Sequence, residues 1–112
     1  MRPETKSLLF DMRQAAGAIV AFTKGHAMDD LRSDDLLRSG VYYKFVVIGE
    51  ALAKLRAADP ATAEGLSEYN RIIGFRNQII HGYAVLDHET TWRVIEIKIP
   101  ILIGELDRLL AG

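Results

Sequence analysis

The sequence predicts an all-α fold, an antiparallel bundle of four main helices plus one short helical turn. Three observations lead there. Apolar residues recur at spacings of three and four over most of the chain, the period of one helix face. The segments so marked are joined by short connections, which favour antiparallel neighbours. Apolar residues make up 49% and charged residues 26% of the 112, the balance of a folded chain able to bury one core. No repeat, low-complexity tract or linker interrupts residues 1–112, which read as a single domain.

The first helix spans about Glu4 to Lys24, with Leu8, Leu9, Met12, Ala15, Ala16, Ile19, Val20 and Phe22 at helical spacing and Gly25 as its stop. Ala27 to Arg32 forms the short helical turn. A longer helix runs from about Ser33 to Ala58, capped and charged at its start by Ser33, Asp34 and Asp35. Val41, Phe45, Ile48, Leu52 and Leu55 follow the alternating spacing of a bundle seam. Asp59-Pro60 ends this helix, because proline disfavours a helical residue before it. A polar stretch, Ala61 to Ser67, precedes a helix from about Glu68 to His81, which Gly82 can close in a left-handed cap. After a short loop, Ala84 to Asp87, the last helix runs from about His88 to Leu110. Its stripe is Trp92, Ile95, Ile99, Ile103, Leu106 and Leu110. Pro100 removes the bond to the Glu96 carbonyl, so a kink or fresh start is expected there.

Composition narrows the function. The absence of cysteine excludes disulfides, thiolate metal sites and cysteine nucleophiles. The unbroken apolar run Phe45 to Ile48 is far short of the roughly 18 residues that a membrane helix needs. The first residues lead into an amphipathic pattern, not a signal-type run, so a cytoplasmic protein without membrane contact is expected. The net charge of −1 gives no general basic face for nucleic acid. Binding to RNA would therefore need a local cluster, a surface doubled in a dimer, or a few well-aimed contacts.

Tyr69 to Tyr83 supplies such a cluster. Arg76, Asn77, His81 and Tyr83 place a permanent cation, a carboxamide, an imidazole and a phenol at one helix end. At about 100° per residue, Asn77 and His81 share one side, with Ile73 and Ile80 flanking them and Arg76 at the edge. Ile72, Phe75 and Ile79 form the opposite, purely apolar face. On the long helix Tyr43, Val46, Val47 and Glu50 likewise lie opposite the seam. Two-sided helices in so small a bundle imply a homodimer that brings copies of Arg76 and His81 to one cleft. RNA carries its own nucleophile, the 2′-hydroxyl. A cleaving site without metal needs a base or acid near pH 7, which His81 supplies, and a fixed cation for the phosphorane, which Arg76 supplies. Asn77 can hold the imidazole or donate to phosphate, and Tyr83 can donate a hydrogen bond.

Each of these residues also has a plainer role. His81 can cap a helix end, and Arg76 can pair with Glu50 or Glu68. Tyr83 can be a boundary aromatic, and Glu50 reads as a buried partner for Arg76 or His81. Tyr42, Tyr43 and Phe45 read as core and interface rather than base-stacking platforms. His26 and His88 carry no signal beyond their place at helix boundaries. The three histidines show no metal-ligand spacing, so neither metal nor cofactor is expected.

Arg76-x-x-x-x-His81-x-Tyr83 resembles the Arg-x4-His-x-Tyr motif of the HEPN superfamily, specifically its HepT-like toxins. Ile48-Gly49-Glu50-Ala51 is similar to that family's helix signature. Arg71 to Asn77 is similar to its run into the motif, with Phe75 where Met is usual, and Val85 to Trp92 and Pro100 match its general pattern. The resemblance implies a HEPN bundle, a homodimer and metal-independent endoribonuclease activity on tRNA or mRNA, with Arg76 and His81 catalytic and Asn77 and Glu50 supporting. It also implies a partner, an MntA-like nucleotidyltransferase antitoxin that transfers AMP to Tyr83. The alternative is a non-catalytic helical dimer that binds a nucleotide or a nucleotidyltransferase partner.

Overall fold

The structure, a computed structural model, describes residues 1–82 and 85–112. All regular elements among them are helical: α1 (Pro3–Thr23), α2 (Met28–Ser33), α3 (Asp35–Ala58), α4 (Pro60–Glu64), α5 (Tyr69–Gly82), α6 (His88–Arg93), a π-turn (Val94–Lys98) and α7 (Ile99–Ala111). The expected four main helices are α1, α3, α5 and the run from α6 to α7, and α2 is the expected short turn. The extents of 42 × 29 × 19 Å leave room for about two helix layers in the thinnest direction.

Local chemistry sets the boundaries. Gly25, with φ 78°, stops α1 in the left-handed region that glycine enters without strain. Asp34 caps α3 by accepting from the Leu37 amide at 3.0 Å. Asp59 ends α3 and caps α4, a short helix in the stretch that reads as merely polar, with Pro60 at its first position. Gly82 departs from expectation: it stays within α5, outside the left-handed region.

The C-terminal helix breaks one turn before Pro100. The Ile99 amide donates to the Val94 carbonyl, one residue further back than in an α-helix, and Pro100 becomes the second residue of α7. A proline at that position needs no amide partner and avoids the clash it would cause deeper in a helix.

Helix α3 is central, packed between α1 and α5, and α1 also meets α7. Its seam residues Val41, Phe45, Ile48, Leu52 and Leu55 are all buried, facing Leu9, Met12, Ile19, Leu102 and Leu106 in one continuous core. At the open end of α1, Thr5 is fully buried and its hydroxyl lies 3.1 Å from the Asp59 carboxylate, while Arg2 donates to the Ala58 carbonyl. No helix among the described residues is long and apolar enough to cross a membrane.

Candidate functional site

Helix α5 lies against α3 through Ile73 and Ile79, both buried. This corrects the expected faces. Ile73 turns inward, whereas Ile72 and Phe75 are only half-buried and Ile80 is 47% exposed. The Phe75 ring meets Phe45 edge-on, with centroids 5.1 Å apart, and Tyr42 at 6.3 Å. Beyond it, a cleft of about 420 Å³ separates α5 from the C-terminal helix, with Phe45, Ile48, Ile72, Phe75 and Leu102 among its walls. Ser67 bonds Glu105, and Glu68 bonds Lys98 at 2.8 Å, across its mouth. Arg76, Asn77 and His81 do not line it.

The polar residues of α5 sit elsewhere. Arg76 lies over Gly49 where α5 crosses α3, its side chain 27% exposed. Its Nη1 donates to Asn77 Oδ1 at 2.6 Å, and its Nη2 lies 3.5 Å from Glu50 Oε1. Arg76 thus pairs with Glu50, while Glu68 is held by Arg71 and Lys98. The hydrogen bond from Lys98, then the Lys98 charge and Arg71, hold the Glu68 carboxyl below its ordinary value. Glu50 itself is half-exposed, not the buried partner expected, because it stands on the outer side of α3. It borders a shallow groove between α1 and α3 of about 290 Å³ that also carries Lys44 and Lys54.

The Arg76 Nε is buried and has no hydrogen-bond acceptor among the described residues. That N–H is out of reach of an incoming anion; of the four N–H groups on the Nη atoms, one donates to Asn77 and one faces Glu50, which leaves the others for an anion. The His81 side chain is exposed at the end of α5, and no side-chain hydrogen bond or ion pair joins it to another described residue. It stands five residues after Arg76, about 140° around the helix, on the side of Asn77. One chain therefore brings Arg76, Asn77 and Glu50 together and leaves His81 apart. Tyr83 lies outside the described residues. Among the described residues no group of three or more His, Asp or Glu could hold a metal ion.

The expected outer face of α3 is present: Tyr43 is 63% exposed, and Val46 and Val47 are half-buried. Tyr42 and Phe45 belong to the core. His88 does more than mark a helix boundary. Its Nδ1 lies 2.7 Å from the Tyr42 hydroxyl, which is also 2.8 Å from Thr91 Oγ1. Nothing in the spacing signals that contact, which joins residues 46 apart.

Residues 12–109 match the family model described as ribonuclease HepT-like. The chain is similar to a candidate RNase of Methanocaldococcus jannaschii, 24% identical over 107 residues that cover 96% of this chain and 88% of that one. A second candidate RNase of the same organism is 22% identical over 104 residues, 93% and 94% of the two chains. A candidate ribonuclease HepT of Thermococcus cleftensis is 26% identical over 109 residues, 97% and 98% of the two chains. No solved structure matches the chain significantly.

Proposed function

Because the chain belongs to the ribonuclease HepT-like family, we propose that it is a metal-independent endoribonuclease toxin whose cleavage is carried by Arg76 and His81. The observation that supports this most is the Arg76 guanidinium, its root seated against Gly49 between α3 and α5 and its Nη groups only partly used by Asn77 and Glu50. A fixed cation of this kind stabilises the charge that develops on phosphorus. In the step, the ribose 2′-oxygen attacks the adjacent phosphorus and gives up its proton. The 5′-oxygen leaves and takes a proton, producing a 2′,3′-cyclic phosphate and a 5′-hydroxyl. His81 moves one of these protons, Asn77 orients the guanidinium, and Glu50 balances its charge at rest.

His81 and Arg76 point about 140° apart on one helix, so a working site needs a second surface. A homodimer across the outer face of α3 and the His81 side of α5 supplies it, with Tyr43 and Ile80 as exposed apolar contacts. Pairing two copies also concentrates their cations at one cleft, so binding need not rely on the net charge of −1 per chain. A nucleotidyltransferase antitoxin, acting in the cytoplasm, silences the site by AMP transfer to Tyr83. The phenol oxygen attacks the α-phosphorus of ATP and pyrophosphate leaves. The added phosphate then competes with RNA for Arg76.

Two measurements test the reading. Light scattering at micromolar concentration should give twice the chain mass, and a monomer would remove the composite site. Incubation of defined tRNA and mRNA with purified protein in EDTA should give cleavage. Intact RNA in EDTA that is cut on adding Mg²⁺ would contradict metal independence.

A further inference from the structure

Helix α3 carries a glycine in its interior, Gly49, where alanine would favour the helix. The structure shows what that glycine permits. A methyl group built on it would lie 2.2 Å from Cβ and 2.7 Å from Cγ of Arg76, and 3.5 Å from the Ile72 carbonyl oxygen. The first two contacts are with the root of the arginine, which cannot swing aside as its tip can. Any side chain at residue 49 therefore pushes α5 away from α3 at the turn that carries the guanidinium. Gly104, by contrast, would meet only the Arg108 tip at 3.7 Å.

We infer that Gly49 is the positioning residue of the site: the notch in α3 that seats the stem of Arg76 and fixes where its guanidinium emerges. The neighbouring Glu50 sets the direction, 3.5 Å from Nη2, and Asn77 sets the other side through Nη1. The buried Nε marks how deeply the stem is seated. The inference rests on the ribonuclease reading for its functional part. Its structural part, the Gly49–Arg76 contact, stands or falls independently.

Two experiments separate those parts. The first is a thermal-stability cycle on the full chain. Gly49→Ala should lower Tm by several degrees when Arg76 is present and raise it in an Arg76→Gly background, where the clash is gone and only helix propensity remains. An equal loss in both backgrounds overturns the notch. The second experiment measures binding of an RNA oligonucleotide whose 2′-deoxy sugars prevent cleavage, over a range of salt. Losing one phosphate contact on a single strand reduces the salt slope by about 0.7. Gly49→Ala and Arg76→Ala should each show that reduction, their combination no more than either, and Gly104→Ala none. Cleavage of all-ribose RNA by Gly49→Ala, well below its Tm, should fall at least about tenfold. If Arg76→Ala shows the reduced slope and Gly49→Ala keeps the wild-type slope and rate, positioning is overturned and the ribonuclease reading survives. If Arg76→Ala itself changes neither slope nor rate, both are overturned.

Discussion

The Tyr42 hydroxyl stands 2.7 Å from Nδ1 of His88, tying the middle of α3 to the first residue of α6. Thr91 joins from the next turn at 2.8 Å, and the rings of Tyr42 and His88 lie 5.5 Å apart. The tie anchors the start of α6, which follows α5 in the chain. Leu86 is buried, and Asp87 caps α6 by accepting from the Glu89 amide.

Tyr42→Phe keeps the ring and its packing on Phe75 but removes the oxygen. Tyr42 is only 2% exposed, and the Thr91 hydroxyl is buried with it, retaining the Asp87 carbonyl at 3.2 Å. Urea unfolding should show a loss of about 1–2 kcal/mol. A value within experimental error of wild type would mean that the hydroxyl adds nothing.

His88 also gives a pH dependence. Burial holds the His88 pKa below its ordinary 6.5, aided by the charges of Arg38 and then Arg32, and Asp87 opposes them. The unfolded chain therefore takes up the proton first as pH falls. Stability from this group is complete above about 6.5, declines as pH drops through that value, and levels off once the folded imidazole also protonates. Urea midpoints between pH 8 and 5 should fall for wild type and be flatter for His88→Phe. An unchanged slope in the variant would contradict the assignment.

Asp59 joins three segments, accepting from the Thr62 amide at 3.3 Å, the Thr62 hydroxyl at 2.7 Å and buried Thr5 at 3.1 Å. Chiefly through the Thr62 hydroxyl, its carboxyl is held below the ordinary 3.8. That stabilisation is present above about 3.8 and lost as pH falls through the lower folded value. Asp59→Ala should lower Tm by several degrees at pH 7 and by less at pH 3. Equal losses at the two pH values would rule out the charged cap.

Much of the fold was legible because each helix carries its own period and punctuation. The α3 seam, the Asp34 cap and the Gly25 stop depend on neighbours within a few residues. The π-turn was only half legible: Pro100 signals a break, but its place depends on which carbonyl Ile99 can reach. At the site, Arg76 takes Glu50, one of the two carboxylates the sequence offered it, but Asn77 accepts from Arg76 rather than holding the His81 imidazole. The inward turn of Ile73 and the only partial burial of Ile72 and Phe75 were not legible from α5 alone. They follow from how α5 rolls on α3, and Gly49, an interior helix glycine, was the available clue. The Tyr42–His88 contact left no local trace, since tertiary packing alone brings those residues together.

We propose that Arg76 and His81 cleave RNA through its own 2′-hydroxyl. The most direct measurement is end-group analysis of a defined RNA incubated in EDTA with wild type, Arg76→Ala and His81→Ala, all confirmed folded by circular dichroism. The account predicts 2′,3′-cyclic phosphate ends from wild type, a loss of at least about a hundredfold in rate for either variant, and no cut where a single 2′-deoxy sugar replaces the attacking ribose. Cleavage that persists at the 2′-deoxy position, or that both variants retain, would contradict it.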